Sequence, residues 1–419
     1  MKKFAFLFPG QGTQFVQMGK TFYENYSIAK QTYEEASMVL GNDIAKLCFE
    51  SSMTELNRFT NMQLAIVVTE ISIFRSYMED YGIDPQFMAG HSIGEYAALV
   101  CSGAATLSDI VKILHKRGEL VERVISENSS RMTILEHAND ELIKSCIKKC
   151  NAGDRVFLSC YNSKTQYAIS GTNHDLDNVE KSLSEEGVSV SALLFSPPMH
   201  SPLMTCVKEE FYNFLTSFRF YPMRCPILSN VTGKPFTDIS NLPYILAEHL
   251  ASPVLFSSMV NCMYQYGITT TIEMSPKLLV SKFVEENTED IDVYCYGVIN
   301  DRQSLDKIFS SDPSYEKDMP NFFGRCLSII AGTQNKVADN RDVKEISKIY
   351  NQLKEYYVAS TNRNFGNKKE QYSSGLNLLI KALQIKNLDC VEIQNWVKTL
   401  VDETNSHYML SSIYNALID

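Results

Sequence analysis

The sequence predicts an α/β fold with three parts: a large domain with a parallel sheet, a small subdomain inserted into it, and a helical C-terminal extension. Three observations support this prediction. Strand and helix patterns alternate over residues 1–130, a second strand-and-helix pattern of different texture follows over residues 131–195, and strand patterns stop after residue 300. Regular alternation of strands and helices is typical of α/β domains, whose helices cover a parallel sheet.

The large domain is predicted over residues 1–130 and 196–300. Residues 4–8 are a short apolar run that ends in a Pro-Gly-Gln-Gly turn, which predicts a buried first strand. Residues 64–80 carry apolar side chains at helical spacing, and Gly82 follows them as a helix stop. A short strand, a tight turn and a further helix are predicted next.

The inserted subdomain is predicted over residues 131–195. It contains two helical segments, DELIKSCIKKC and DLDNVEKSLSEEG, each flanked by strand patterns. The resulting order, β-α-β-β-α-β, predicts a small ferredoxin-like sandwich. Residues 225–231 and 268–274 are again strand-like and predict a return to the parallel sheet.

The C-terminal extension is predicted over residues 301–419 and begins with a polar, proline-containing linker. The polar stretch STNRNFGNKKEQYSSG predicts a loop, and the single tryptophan, Trp396, is expected to anchor a core. Helical patterns lie near residues 321–333, 342–358, 375–385 and 390–415.

The composition predicts a soluble globular protein. The chain has 419 residues, of which 44% are hydrophobic, 11% aromatic and 21% charged, so disorder as the main state is excluded. The formal charge of −10 argues against binding to nucleic acid. No window approaches the roughly 20 apolar residues that a membrane span needs. The first apolar run is also shorter than the roughly 7–15 residues of a signal peptide core.

The eleven cysteines indicate a reducing, cytoplasmic setting. Their number is odd and no CxxC pair occurs, so neither a disulfide framework nor a metal site is expected. Cysteines in such a protein act as small core residues.

The strongest chemical signal is a GxSxG pattern, Gly90-His91-Ser92-Ile93-Gly94, between a predicted strand and a predicted helix. In hydrolase-like α/β domains this context forms a nucleophile elbow, whose two glycines relieve crowding in a sharp turn. The turn would place Ser92 at a helix N-terminus, where backbone dipoles stabilise a developing negative charge.

A serine nucleophile needs an adjacent base, and the chain offers seven histidines. His200 follows a Pro-Pro-Met segment where the chain re-enters the large domain, and ligand sites favour such junctions. His249 is the second candidate. The residues alone leave this choice open.

Several blocks, in matching order and spacing over residues 1–300, resemble the malonyl-CoA:acyl-carrier-protein transacylase family, including the acyltransferases that serve polyketide synthases. The four main blocks are FPGQGTQ at 8–14, GHSIGE at 90–95, KRGE at 116–119 and MHSP at 199–202. Shorter blocks add to the resemblance: YNS at 161–163, ISG at 169–171, SNVT at 229–232 and SPV at 252–254.

The resemblance implies a reaction in two halves. Ser92 would attack a thioester carbonyl and His200 would take its proton, while the backbone amides of Gln11 and Ile93 would form the oxyanion hole. Coenzyme A would deliver the acyl group, and a phosphopantetheine thiol on an acyl carrier protein would accept it. The resemblance implies no metal and no redox cofactor.

Further roles come from the same resemblance. Arg117 would bind the free carboxylate of a malonyl group, because its planar fork can pair both oxygens; spacing alone predicts a solvated helix arginine. Gln63 and Met199 would also line the substrate site. The backbone carbonyl of His249, at a position where the family commonly has glutamine, would orient the catalytic histidine, and Asn162 would support the site.

Met199 stands where malonyl-selective members of the family usually have phenylalanine. Methionine is flexible and accepts varied shapes, and a related group of enzymes removes stalled acyl chains from carrier proteins. A proofreading acyl hydrolase with the same Ser92–His200 pair is therefore the alternative to malonyl transfer. A non-catalytic scaffold is disfavoured because the key residues are present. An ordinary esterase would have its acid and histidine in Ser–Asp/Glu–His order later in the chain. It is disfavoured because strand patterns return after His200 and because of the N-terminal Gly-Gln-Gly turn.

The C-terminal extension favours a polyketide setting, since its RCL block at 325–327 and GTQN block at 332–335 resemble the extension of stand-alone polyketide acyltransferases. The expected partner is an acyl carrier protein. Carrier proteins are usually acidic and this chain is acidic too, so docking would depend on a local basic patch or on the pantetheine arm. The family usually acts as a monomer, and we expect the same here.

Overall fold

A computed structural model describes residues 3–127, 129–193, 196–311, 321–334, 340–360, 368–404, 406 and 410. The chain divides into two compact units. The first contains Met1–Tyr77 and Ile83–Ile308, and the second contains Met78–Gly82 and Phe309–Asp419.

The strands are, in chain order, β1 (Phe4–Phe8), β2 (Phe87–Gly90), β3 (Ser130–Glu136), β4 (Val156–Tyr161), β5 (Gln166–Thr172), β6 (Ser189–Leu193), β7 (Ile227–Leu228), β8 (Thr270–Glu273) and β9 (Asp292–Cys295). The α-helices are α1 (Lys20–Asn25), α2 (Ser27–Leu40), α3 (Ile44–Glu50), α4 (Met53–Leu56), α5 (Phe59–Asp80), α6 (Gly94–Cys101), α7 (Leu107–Glu127), α8 (Asp140–Lys149), α9 (Asn173–Glu185), α10 (Thr205–Leu215), α11 (Leu242–Ala251), α12 (Phe256–Gln265), α13 (Val280–Asn287), α14 (Ile299–Ser311), α15 (Phe322–Gly332), α16 (Asn340–Ser360), α17 (Lys368–Ile385) and α18 (Cys390–Glu403).

The first unit contains a parallel sheet in the order β7-β2-β1-β8-β9. All five residues of β1 are buried, because strands at the centre of a parallel sheet are covered on both faces. β1 and β2 run in register, with Phe8 opposite Gly90, so both strands end at the same edge of the sheet. The predicted parallel sheet is confirmed. Its edge strand β9 was not predicted, since its sequence DVYC carries only a weak strand pattern.

The inserted subdomain forms a separate antiparallel sheet in the order β4-β5-β3-β6. The first strand of the subdomain therefore lies between the third and the fourth, which is the ferredoxin-like arrangement, and this predicted fold is confirmed. Helices α8 and α9 bury apolar side chains in a shared core that includes Ile143, Leu176 and Val179. The predicted end of the subdomain, at residues 194–195, lies outside the described residues.

Helix α14 continues past residue 300, where the sequence predicts the start of the extension. Leu305 on this helix is fully buried, and the first compact unit ends at Ile308. Packing of this apolar side chain thus extends the first unit past residue 300 and into the predicted linker.

The second unit packs α15, α16, α17 and α18 around its own apolar core, and Trp396 lies half-buried against that core. The loop prediction for residues 360–375 is wrong over residues 368–375, which form the start of α17. Tyr372 stacks on Phe322 with ring centroids 4.4 Å apart, so tertiary packing outweighs the polar local sequence. The predicted helix over 390–415 ends at residue 403, and residues 361–367, 335 and 411–419 lie outside the described part of the chain.

Candidate active site

The GxSxG pattern forms a sharp turn between β2 and α6. Ser92 adopts a positive φ of 51°, a conformation that is uncommon for residues other than glycine. A Cβ atom on Gly90 would lie 2.1 Å from the backbone nitrogen of Glu95, and one on Gly94 would lie 2.0 Å from the carbonyl oxygen of Phe8. Only glycine fits at both positions, so the predicted nucleophile-elbow geometry is present.

His200 lies directly against the serine. Its Nε2 atom is 2.6 Å from Ser92 Oγ, and its Nδ1 atom is 2.8 Å from the carbonyl oxygen of His249. Because a carbonyl can only accept, Nδ1 carries the proton and Nε2 is free to accept the hydroxyl proton of the serine. The structure therefore brings together Ser92 and the histidine that the resemblance implied, with the carbonyl of His249 in the orienting position.

The protonation of His200 is set by burial. The side chain is only 2% exposed, and its pKa is lowered well below the usual value, first by desolvation and then by His249, Arg117 and His91. The imidazole is neutral at neutral pH and can act as a base. His200 also adopts a positive φ of 58°, and its backbone N–H donates to the carbonyl of Leu250 at 2.8 Å. Two carbonyls of the last turn of α11 thus hold the base.

Asn230 holds the backbone of the elbow through its side chain. Its side chain donates to the carbonyl of Gly90 at 2.8 Å and accepts the backbone N–H of Ser92 at 3.0 Å. Its backbone N–H donates to Glu95 Oε1 at 3.1 Å. Asn230 and Glu95 are fully buried, and neither was singled out from the sequence as a site residue. The signal was present, since both lie within blocks that carry the family resemblance.

The turn after β1 passes against the elbow, on the side where the oxyanion hole is predicted. A Cβ atom on Gly10 would lie 2.7 Å from the carbonyl of His91 and 3.5 Å from Ser92 Cβ. Gln11 therefore follows a residue in close contact with the elbow, and its side chain is exposed. Ile93 is buried and precedes the first residue of α6, so its amide lies at the positive end of that helix.

Arg117 is buried rather than solvated, being only 1% exposed on α7. Its Nη1 donates to Gln63 Oε1, and its guanidinium carbon lies 5.8 Å from the ring of Phe59 and 5.6 Å from the ring of Tyr96. Among the described residues no carboxylate oxygen lies within 4.0 Å of it, and its Nε has no hydrogen-bond partner. The solvated interpretation based on spacing is wrong, because the helix faces the core at this position.

A buried guanidinium without a carboxylate is costly unless an anion binds to it. Gln63 Nε2 likewise has no hydrogen-bond partner among the described residues. Arg117 Nε and Gln63 Nε2 are thus two buried donors without a hydrogen-bond partner among the described residues. This donor set suits a small carboxylate.

Asn162 and Met199 support the site from the small subdomain and from the chain that leaves it. Asn162 Oδ1 lies 2.7 Å from Nε2 of His91, the residue before the serine. Met199 is 3% exposed, and its carbonyl accepts a hydrogen bond from Ser170 Oγ at 2.8 Å. Asn162 therefore acts on the elbow through His91, and the backbone of Met199 is held in place beside the base.

A cavity of about 730 Å³ lies beside His200 and is lined by residues of α8 and β4. His200 lines this cavity, whereas Ser92 and Arg117 do not. Within the described ranges, no group of three or more His, Cys, Asp or Glu side chains could hold a metal ion. No helix in that part of the chain is long and apolar enough to cross a membrane.

The parallel sheet, the inserted ferredoxin-like sheet and the serine elbow with its histidine together define an α/β acyltransferase fold. The acyl transferase domain model matches residues 5–330, and the chain belongs to this family of enzymes. The predicted family is thereby confirmed.

Known proteins with this fold are similar over most of their length. A malonyl CoA-acyl carrier protein transacylase of Bacillus subtilis is 35% identical over 306 residues, which is 73% of this chain and 76% of that protein. The structure of such a transacylase from Clostridium perfringens matches with a TM-score of 0.70 and 29% identity, covering 75% of this chain and all of that one. A malonyl-transacylase solved in complex with a type II PKS acyl-carrier protein matches with a TM-score of 0.70 and 26% identity, covering 74% of this chain and 100% of that one.

Proposed function

We propose that the protein transfers a malonyl group from coenzyme A, through an acyl ester on Ser92, to the phosphopantetheine thiol of an acyl carrier protein in polyketide biosynthesis. The observation that carries this proposal is Arg117, a buried cation without a carboxylate partner in the described structure, on the helix that follows the serine elbow. A substrate with a free carboxylate would supply the missing anion.

Each half-reaction uses the same two side chains. Ser92 Oγ attacks the thioester carbonyl while His200 Nε2 takes its proton, and the amides of Gln11 and Ile93 stabilise the negative oxygen of the tetrahedral intermediate. His200 then returns the proton to the departing thiol of coenzyme A. In the second half the carrier thiol gives its proton to His200 and attacks the Ser92 ester; the bond from the acyl group to Ser92 Oγ breaks, His200 returns the proton to Ser92 Oγ, and the carrier leaves with the malonyl group.

The relatives support the substrate and the partner. They are named malonyl CoA-acyl carrier protein transacylases, and one was solved with a PKS carrier protein. The polyketide setting is supported by the second compact unit, whose helix α15 carries the RCL block that resembles stand-alone polyketide acyltransferases. The proposed reaction needs no metal or redox cofactor, and a monomeric state in the cytoplasm stays a prediction.

A proofreading acyl hydrolase is the second candidate, and Met199 favours it. A flexible side chain beside the base would admit acyl groups of varied shape, and water would replace the carrier thiol in the second half-reaction. Arg117 favours transfer, because hydrolysis of simple acyl chains gives a buried guanidinium nothing to bind.

One experiment separates the two candidates. The protein is offered malonyl-CoA with unloaded carrier protein, and in parallel butyryl-loaded carrier protein, and the intact masses of enzyme and carrier are followed. We expect a malonyl adduct on the enzyme, its absence in Ser92→Ala, and malonyl loading faster than unloading of butyryl groups. Faster unloading would favour the hydrolase, and an adduct on Ser92→Ala would contradict the serine assignment.

A further inference from the structure

We propose that Glu95 and His249 are positioning residues: a buried pair that fixes the catalytic base relative to the nucleophile by joining helix α11 to the serine elbow. The proposal rests on the proposed roles of Ser92 and His200.

The position of the base depends on the end of α11. Besides its contact with Ser92, His200 makes two polar contacts, both with backbone carbonyls in the last turn of α11. Its Nδ1 contacts the carbonyl of His249 and its backbone N–H contacts that of Leu250, each at 2.8 Å. The C-terminal end of a helix is negative, so these carbonyls also stabilise the imidazolium that forms when the base accepts a proton. Any shift of the last turn of α11 would move Nε2 away from Ser92.

The side chain of His249 anchors this last turn. It is fully buried, and its ring centroid lies 4.8 Å from that of His200, with the two planes 30° apart. Its Nδ1 lies 3.0 Å from Glu95 Oε2, which is ion-pair distance without hydrogen-bond geometry, and neither atom has a hydrogen-bond partner among the described residues. Because buried polar groups are costly without partners, the close approach of these two atoms is the compensation that the described structure offers to each of them.

Glu95 continues the connection to the elbow. It is fully buried in the first turn of α6, and its Oε1 accepts the backbone N–H of Asn230 at 3.1 Å. The side chain of Asn230 in turn holds the backbone of Ser92. An unbroken series of contacts therefore runs from the carbonyl that orients the base, through the His249–Glu95 pair, to the nucleophile.

The charges around the pair favour a neutral state. Burial raises the pKa of Glu95 to about 8 and lowers that of His249 well below its usual value. Arg117 faces both groups, and His91 also faces His249. At neutral pH both side chains are then uncharged, so the pair places no net charge beside His200.

The test measures the reactivity of Ser92 without any acyl donor, as the rate of labelling by a fluorophosphonate. We expect His249→Leu to slow labelling at pH 7 at least ten-fold, to leave the KM for malonyl-CoA within two-fold, and to shift the midpoint of the pH–rate profile. Glu95→Leu should act in the same direction, and the double variant should be no slower than the slower single variant, because both changes remove the same contact. Glu95→Gln, which mimics the neutral carboxyl group, should keep most of the rate. His249→Gln, whose amide can still reach Glu95, should recover most of the rate.

His115→Gln is the matched control, since His115 forms an exposed pair with Glu119 at 3.8 Å on α7; we expect wild-type labelling. Thermal unfolding checks each variant, and Glu95→Leu carries the test if His249→Leu does not fold. Wild-type labelling rates in folded Glu95→Leu and His249→Leu would overturn the proposal. The proposal would also be overturned if the variants label more slowly but with an unshifted pH–rate profile and with additive effects in the double variant, since that result indicates a structural role alone. A wild-type protein that labels but does not transfer malonyl would contradict the proposed function only.

Discussion

At the scale of single residues, Arg117 shows how tertiary structure changes the meaning of a side chain. Its neighbours in sequence are polar, and KRGE alone predicts a solvated turn of helix. In the structure the guanidinium lies between two aromatic rings and donates to Gln63. Burial lowers its pKa, while Tyr96 and Glu95 act in the opposite direction. The cation is thus buried beside aromatic and polar side chains.

Arg117→Ala should reduce transfer of malonyl groups by roughly 10–100-fold, the loss expected for a charge-assisted hydrogen bond of about 1.5–3 kcal/mol. Transfer of acetyl groups, which lack the carboxylate, should be kept or increased. Steady-state rates with both coenzyme A esters measure this ratio. Arg123→Ala, an exposed arginine on the same helix that pairs with Glu210, should leave it unchanged. Equal losses on both substrates would show that Arg117 is structural.

Met199→Phe should narrow the range of accepted acyl groups, because a rigid ring replaces a flexible chain next to the base. We expect the preference for malonyl over butyryl to rise roughly ten-fold, as small steric changes in a pocket allow. Competition between the two coenzyme A esters, read by intact mass, gives the preference. Met38→Phe, at a 78% exposed position on α2, is the control. An unchanged preference would remove the argument from Met199.

At the scale of elements, the elbow is formed by close packing of β1 against the start of α6. The carbonyl of Phe8 occupies the space that a Cβ atom on Gly94 would need. The carbonyl of Gly94 in turn occupies the space that a Cβ atom on Gly90 would need. These approaches bring the N-terminus of α6 next to Ser92. The same packing brings Gly10 and the following Gln11 turn against the serine.

Gly94→Ala should destabilise the protein by at least about 2 kcal/mol, since a Cβ atom 2.0 Å from a backbone oxygen forces the strand or the helix to move. Chemical denaturation measures the loss, and fluorophosphonate labelling of Ser92 should slow in parallel. Gly153→Ala is the control, because a Cβ atom there would meet no other atom within 4 Å. A stable, reactive Gly94→Ala protein would contradict the account of the elbow.

At the scale of the whole molecule, the first unit buries an unusual set of ionisable groups. Burial lowers the pKa values of His91, His200 and His249 and raises those of Glu95 and Glu273. The histidines and the glutamates affect the stability of the fold in different pH ranges. Histidines with lowered pKa destabilise the fold as the pH falls below about 6.5, the value in the unfolded chain. Glutamates with raised pKa destabilise it as the pH rises from their unfolded value to their folded one.

The midpoint temperature of thermal unfolding should therefore decrease as the pH rises from 6.5 to 8. In that range the histidines no longer contribute, and Glu95, with its pKa of about 8, holds a proton only in the native state. Glu95→Gln, which has no proton to lose, should show a fall smaller by a few degrees. Calorimetry at several pH values checks this. Glu119→Gln, whose carboxylate is 56% exposed, should behave like the wild type. An identical pH dependence in Glu95→Gln would show that Glu95 is ionised in the fold.

Much of the fold and part of the candidate site could be predicted from the sequence. The buried strand at residues 4–8, the elbow at Ser92 and the β-α-β-β-α-β order of the subdomain follow from local periodicity and turn residues. The loop assigned to residues 368–375 failed, because the stacking of Tyr372 on a distant phenylalanine decided that segment. Strand β9 was missed because a four-residue strand at a sheet edge carries too little pattern.

The sequence by itself determined the class of fold and the serine, since glycine spacing and hydrophobic periodicity are local properties that any α/β elbow requires. Only the tertiary structure decided which histidine faces that serine, that Arg117 is buried without a carboxylate in the described residues, and that Glu95 meets His249. These three facts depend on burial and on contacts between residues far apart in the chain. Burial and pairing set the charge and the orientation of a side chain, and neither can be derived from its neighbours in sequence.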